Sequence, residues 1–67
     1  GIYKTLGAIM VEYFKAKPTG IYYKVENGNV FYLNRAANEW RECQCYYLRD
    51  IRNHPHYFIK VDDVPVA

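Results

Sequence analysis

The dipeptide Asn27-Gly28, flanked by two runs of strand-forming residues, constrains the fold more than any other feature of the sequence. A two-residue type I′ turn needs positive φ at both central positions, and Asn-Gly adopts that conformation most readily. The sequence therefore predicts a β-hairpin over residues 21–34. The short loop also fixes the register, placing Val25 opposite Val30 and Tyr23 opposite Tyr32.

This register gives the hairpin two faces of different character. One face is almost entirely apolar and is expected to pack on the core: Ile21, Tyr23, Val25, Val30 and Tyr32. The other face mixes charges with large side chains: Tyr22, Lys24, Glu26, Phe31 and Leu33. Such a mixed face indicates a surface that binds a partner protein, a homodimer contact, or a sheet face covered by the C-terminal tail.

Weaker patterns predict the remaining elements of a single domain over residues 1–67. Apolar residues at helical spacing before Pro18 predict a helix over about 2–16, with a strand as the second choice for its latter half. Alternating residues predict a third strand over about 40–48 and a fourth over about 57–61, followed by a polar tail over 62–67. One helical turn is expected between Asp50 and Pro55. The predicted fold class is α+β, with one N-terminal helix packed on a small antiparallel sheet of about four strands.

The aromatic content is high for a chain of 67 residues. Eight Tyr, three Phe and one Trp make up 18% of the sequence, and each ring can bury roughly 150–250 Å². A single helix cannot cover so many rings, so we expect a surplus on the surface. Tyr, Trp and Arg also dominate the energetically important positions of protein interfaces. The residues predicted to bind a partner are Tyr22, Lys24, Phe31, Leu33, Trp40, Arg41 and Arg49.

Charge and hydropathy narrow the class of partner. The formal net charge is +2, which is too small to indicate nucleic acid by itself. Lysines and arginines interrupt every apolar run before it reaches the roughly 18 residues of a membrane helix, and no leader pattern is seen. We therefore expect a cytoplasmic protein without a membrane partner. Single-stranded nucleic acid is the alternative, because four arginines are interleaved with rings in the second half: Arg35, Arg41, Arg49 and Arg52.

The cysteines and histidines form two pairs that suggest a weak zinc alternative. Cys43 and Cys45 lie two residues apart, as do His54 and His56, and together they supply a tetrahedral ligand set. Their spacing is not typical of a zinc finger, so small structural thiols and loop histidines are the preferred interpretation. A nucleophilic thiol would also need a base and an orienting group, which nothing in the spacing selects. The sequence therefore predicts no cofactor and no enzymatic activity.

Two segments resemble small early or accessory proteins of T-even-like tailed phages. They are residues 22–31, whose sequence is YYKVENGNVF, and residues 54–61, whose sequence is HPHYFIKV, with Trp40 between them. The resemblance implies a protein that binds and blocks or redirects a host protein, such as a defence or transcription component, in the host cytoplasm. It assigns no individual catalytic or binding residue.

Overall fold

The structure, a computed structural model, describes residues 10–67. Five strands form one antiparallel sheet in the order β4-β3-β2-β1-β5. The first four strands follow each other as a meander, and the chain then crosses one face through a short helix before β5 pairs with β1. The elements are β1 Val11–Ala16, β2 Tyr22–Glu26, β3 Asn29–Asn34, β4 Glu39–Glu42, α1 Leu48–Asn53 and β5 Phe58–Val61.

The hairpin has the register that the turn chemistry predicts. Val25 pairs with Val30 and Tyr23 pairs with Tyr32 across β2 and β3. Both turn residues adopt the left-handed conformation, with φ of 53° at Asn27 and 80° at Gly28. Local turn chemistry therefore sets the pairing at the centre of the sheet.

The prediction of an N-terminal helix on a four-stranded sheet is wrong. Residues 11–16 form strand β1, which lies between β2 and β5, while residues 2–9 of the predicted helix lie outside the described residues. The sequence of β1 supports the second choice, because Phe14 and Ala16 alternate inward and are both buried. The helix of this fold is α1, near the C-terminal end, and the sheet has a fifth strand.

The predicted third strand is too long. Strand β4 ends at Glu42, and the chain bends away from the sheet at Gln44 and Cys45. This bend lets the Tyr46 ring reach the core, where it makes T-shaped contacts with the rings of Tyr23 and Phe58 at centroid distances of 5.8 and 5.1 Å. Packing of a large ring therefore ends a strand that alternation alone would extend.

The helical turn predicted to begin at Asp50 is part of helix α1, which begins two residues earlier, at Leu48. The Asp50 carboxylate accepts a hydrogen bond of 2.7 Å from the Tyr47 N–H and thereby satisfies a free donor at the helix start. Ile51 projects from α1 onto the sheet and is 2% exposed. No helix within residues 10–67 has both the length and the apolar character needed to cross a bilayer.

The core lies on the face of the sheet that α1 covers. Tyr23, Val25 and Val30 of the predicted inner face are buried there, whereas Ile21, just before β2, is exposed. Partly buried side chains from the 43–48 segment and Tyr57 close the edge of this core. The fully assembled cluster is Phe14, Ala16, Tyr23, Val25, Val30, Ile51 and Phe58. We call this side the covered face.

Ion pairs on the covered face attach the end of α1 to the sheet. The Glu12 carboxylate of β1 accepts hydrogen bonds from Arg52 of α1 and contacts the Lys60 ammonium of β5 at 3.5 Å. The guanidinium of Arg52 and the charge of Lys60 lower the pKa of Glu12. One carboxylate of β1 therefore contacts two elements, α1 and β5, that lie far from it in sequence.

Candidate partner-binding surface

The side of the sheet opposite α1 carries a continuous group of rings, aliphatic groups and lysines. Tyr13, Lys24 and Phe31 are neighbours across β1, β2 and β3, and Lys15 with Tyr22 and Leu33 with Trp40 form the adjacent row. Side chains at paired positions of an antiparallel sheet lie on the same face. We call this surface the aromatic face, defined as Tyr13, Lys15, Tyr22, Lys24, Phe31, Leu33 and Trp40.

Tyr13 and Trp40 meet above the centre of the aromatic face. Their ring centroids are 6.1 Å apart and the planes are inclined by 29°, which is a stacked arrangement. The rings come from β1 and β4, whose backbones are three strand spacings, or about 14 Å, apart. Both side chains therefore lean inward over β2 and β3. Leu33, the cross-strand neighbour of Trp40, is only 4% exposed.

Lys24 is the central cation of this surface. Its ammonium lies 5.1 Å from the Trp40 ring centroid and 5.3 Å from that of Phe31. It also forms a 3.0 Å salt bridge with the Glu26 carboxylate, and its side chain is only 18% exposed. Lys15 lies over the Tyr22 ring in the same way, at 5.5 Å. The cations thus rest against ring faces, which is favourable for both groups when they are partly desolvated.

The structure brings together five of the seven side chains predicted to bind a partner. Tyr22, Lys24, Phe31, Leu33 and Trp40 all belong to the aromatic face. The four rings, those of Tyr13, Tyr22, Phe31 and Trp40, are half-buried, and Leu33 is buried beneath its neighbours.

Arg41 and Arg49 are separate from this surface. Arg41 follows Trp40 in β4 and therefore projects from the opposite side, where its Nε donates a 2.7 Å hydrogen bond to the Glu39 carboxylate. That contact raises the pKa of Arg41. Arg49 lies on α1, with its guanidinium 5.3 Å from the Tyr47 ring centroid.

Tyr13 and Lys15 are members of the aromatic face that the sequence reasoning missed. The helix predicted over about 2–16 includes both residues. The signal that identifies them is the alternation within residues 11–16, where Val11, Tyr13 and Lys15 share one side of the strand. Once β1 is recognised as a strand next to β2, its pairing places Tyr13 beside Lys24 and Lys15 beside Tyr22.

The arginines of the nucleic-acid alternative lie on several elements, and none belongs to the aromatic face. Arg52 binds Glu12 on the covered face, and Arg41 binds Glu39 at the outer strand. Arg49 lies on α1, while Arg35 is exposed in the connection between β3 and β4. Two of the four guanidinium groups are thus paired with carboxylates, and the others lie on different elements.

The cysteines and histidines of the zinc alternative are not assembled into a site. Cys43 packs against the core and Cys45 is exposed at the bend. The Nδ1 atom of His54 lies 3.0 Å from the Asp50 carbonyl oxygen, and His56 is exposed in the turn before β5. Within residues 10–67, no three His, Cys, Asp or Glu side chains converge as metal ligands would.

A cleft of about 290 Å³ opens beside the core at the bend. Burial is the main cause that raises the pKa of Tyr23 to about 12. The phenol is thus a weaker acid than an ordinary tyrosine and is available as a hydrogen-bond donor at neutral pH. The lining side chains are uncharged: Thr19, Ile21, Tyr23, Tyr32, Cys43, Gln44, Cys45, Tyr46 and Tyr57.

Comparison of the chain with protein-family models, with curated proteins and with solved structures found no match. The resemblance to T-even-like phage accessory proteins therefore stays a prediction.

Proposed function

We propose that this chain is a non-enzymatic protein-binding module that engages its partner through the aromatic face. One observation carries the proposal: four half-buried rings lie together on the sheet face opposite α1, and no described helix or strand lies over them. Large rings with a buried aliphatic centre and charged neighbours are typical of the energetically important part of protein interfaces.

The charges of the aromatic side of the sheet favour a protein over a nucleic acid. In the described strands, Lys15 and Lys24 are the cations of this side, and Glu26 and Glu42 are carboxylates on the same side of β2 and β4. Single-stranded nucleic acid needs a groove of net positive charge in addition to stacking rings. The balanced charges on this side, together with the dispersed arginines, fit a polypeptide partner better.

The resemblance to phage accessory proteins adds a finer proposal about the partner. It is a host protein, such as a defence or transcription component, which the bound module inhibits or redirects in the host cytoplasm. Such a role requires occupancy of a surface and no chemical step, in line with a surface of rings and lysines.

The test is quantitative capture from a host lysate with the immobilised protein and three variants. Phe31→Ala and Trp40→Ala remove rings of the aromatic face, and Arg49→Ala removes a large side chain from α1 as the matched control. A partner that binds this face should lose at least about 30-fold in affinity with either ring variant and little with the control, when remeasured by calorimetry with the purified protein. Equal binding by the ring variants would contradict the proposal.

A second measurement addresses the nucleic-acid alternative. Fluorescence anisotropy with labelled oligo(dT) and oligo(rU) strands should show no saturable binding at low salt. Binding that weakens steeply with added salt would indicate neutralised phosphates and would support the alternative instead.

A further inference from the structure

Among residues 10–67, the two edge strands of the sheet differ in the backbone groups that have no partner strand. At the β4 edge, the Cys43 N–H donates to the Val30 carbonyl at 2.9 Å, so Val30 and Cys43 form a hydrogen-bonded pair. Such pairs alternate along an antiparallel ladder. Arg41 and Glu39 therefore bond to β3, and the N–H and C=O groups of Trp40 and Glu42 point away from the sheet.

The β5 edge is less open to a further strand. The Lys17 N–H donates to the Tyr57 carbonyl at 2.8 Å, so the backbone groups of Phe58 and Lys60 point outward by the same alternation. The Phe58 N–H is already bonded to the His54 carbonyl at 2.9 Å. Lys60 alone keeps both groups, and a lysine on an edge strand opposes pairing with another chain. Strand β4, with two such outward-facing residues in Trp40 and Glu42, is thus the more open of the two edges.

The sequence of β4 determines which partner strand fits it. Two copies of β4 that pair antiparallel about a twofold axis must centre on one residue of the strand, because outward-facing groups have to meet each other. Centring on Glu39, Arg41 or Glu42 places a charge opposite the same charge of the second copy. Like charges in directly opposed positions are destabilising.

Only Trp40 is an uncharged centre. In that register the two Trp40 residues form the hydrogen-bonded pair, and each Arg41 lies opposite Glu39 of the second copy. Glu39 and Arg41 already contact each other at 2.7 Å and remain about half exposed, at 54% and 46%, so both can reach across the junction. Four charges of alternating sign would then surround the axis.

We propose that a second copy of this chain pairs its β4 with β4 in this register. The two sheets become one ten-stranded sheet with a continuous aromatic side, on which each Trp40 ring leans back over its own sheet toward Tyr13. The contact is formed by four-residue strands and is smaller than the roughly 800 Å² per partner of a standard interface. Association is therefore weak and becomes visible at high protein concentration. The inference depends on the β4 edge and not on the proposed function.

The experiment is a charge swap measured by sedimentation equilibrium between about 10 μM and 1 mM, a range chosen for weak association. Glu39→Arg and Arg41→Glu each place like charges opposite one another, and each should weaken dimerisation by roughly tenfold. The double variant Glu39→Arg with Arg41→Glu restores alternating charges and should recover the affinity of the natural chain. Arg49→Glu, which makes the same charge change on α1, is the control and should leave the association unchanged.

The results of these measurements distinguish the proposed dimer from a monomer and from a dimer formed elsewhere. A chain that stays monomeric throughout this range overturns the proposal, as does a dimer that is insensitive to both single reversals or is not restored by the swap. Hydrogen exchange provides an independent readout, because the Trp40 amide should gain protection as concentration rises while the Arg41 amide is protected throughout. Loss of this dimer in a variant that still binds a partner protein would leave the proposed function intact.

Discussion

The two faces of the sheet are built from the same strands, yet their rings are used differently. Tyr23 is 6% exposed on the covered face, where its ring makes edge contacts with Tyr46 and Phe58 beneath the 43–48 segment and α1. Tyr22, its immediate neighbour, is half-buried on the aromatic face under Lys15. Both residues are tyrosines, so the difference in their burial arises from which face of the sheet the crossover between β4 and β5 covers.

The contact partners of the rings also differ between the faces. On the covered face, rings meet other rings edge to face, and the Tyr57 hydroxyl raises the pKa of Tyr46. On the aromatic face, two rings stack and lysines lie over the others. The first arrangement excludes water, while the second keeps polar groups within reach of a partner. A face that stabilises the fold can thus be distinguished from a face available for binding.

The largest expected loss of stability tests the packing of the covered face. Phe58→Ala removes a ring that is 3% exposed and contacts Tyr23, Tyr46 and Tyr57. We expect the free energy of unfolding to fall by about 3–5 kcal/mol, as measured by urea denaturation. In a domain of this size, that loss is a large part of the total stability. A loss under about 1 kcal/mol would mean that this ring cluster is not the core.

A smaller effect on stability tests whether the aromatic face has a core of its own. Leu33 is buried there, outside the main cluster. Leu33→Ala should lower the free energy of unfolding by about 2–3 kcal/mol, near the lower end for buried leucines, because flexible neighbours can collapse into the space. A value as large as that of Phe58→Ala would remove the distinction between the two faces.

Trp40→Ala tests whether a ring of the aromatic face contributes less to stability than a ring of the covered face. The ring is half-buried, so its loss should cost about 1 kcal/mol of stability from the stack with Tyr13 and the contact with Lys24. Thermal unfolding followed by far-ultraviolet circular dichroism measures this cost. Tyr23→Ala on the covered face is the matched comparison and should be far more destabilising. Equal losses of stability in the two variants would show that the Trp40 ring stabilises the fold as much as the Tyr23 ring does.

The smallest expected effect on the free energy of unfolding concerns Glu12, whose carboxylate attaches α1 to the sheet. The pKa of Glu12 is lowered by Arg52 and Lys60, so its ionised form favours the folded state. This contribution is present above the unfolded-state pKa, 4.5, and is lost as pH falls through the lower pKa of the folded state. Glu12→Gln should cost less than about 1 kcal/mol at pH 7, because the pair is partly exposed.

The pH dependence distinguishes this contact from a general charge effect. The difference in stability between the natural chain and Glu12→Gln should shrink as pH is lowered from 6 to 3, followed by urea denaturation at each pH. Glu39→Gln, which removes an exposed carboxylate at the outer strand, is the control. A difference that stays constant down to pH 3 would show that the Glu12 charge does not contribute.

The parts of the fold that local chemistry decides could be predicted from the sequence. The Asn27-Gly28 turn fixed the hairpin and placed Tyr22, Lys24, Phe31 and Leu33 on one face, so most of the candidate surface followed from period-two alternation. Residues 11–16 satisfy both helical and strand patterns. Their pairing with β5, more than forty residues later, decided in favour of the strand, and no short window contains that information.

The rest of the candidate surface depended on recognising residues 11–16 as a strand next to β2. Tyr13 and Lys15 joined it through the pairing of β1 with β2. Arg41 was included because arginines are frequent at interfaces, although its position next to Trp40 in a strand directs it to the other side. Arg49 was included for the same reason and lies on α1.

Trp40 is the single tryptophan of the chain, and it lies on the aromatic face at the edge strand. Its indole therefore serves as an intrinsic optical reporter, with the emission sensitive to the Lys24 ammonium beside it and to any molecule that displaces water there. Ligand titrations and dilution of a self-associated form can both be followed without a label. The wavelength and intensity of the Trp40 emission would then show whether this side of the sheet is in contact with water or with a bound molecule.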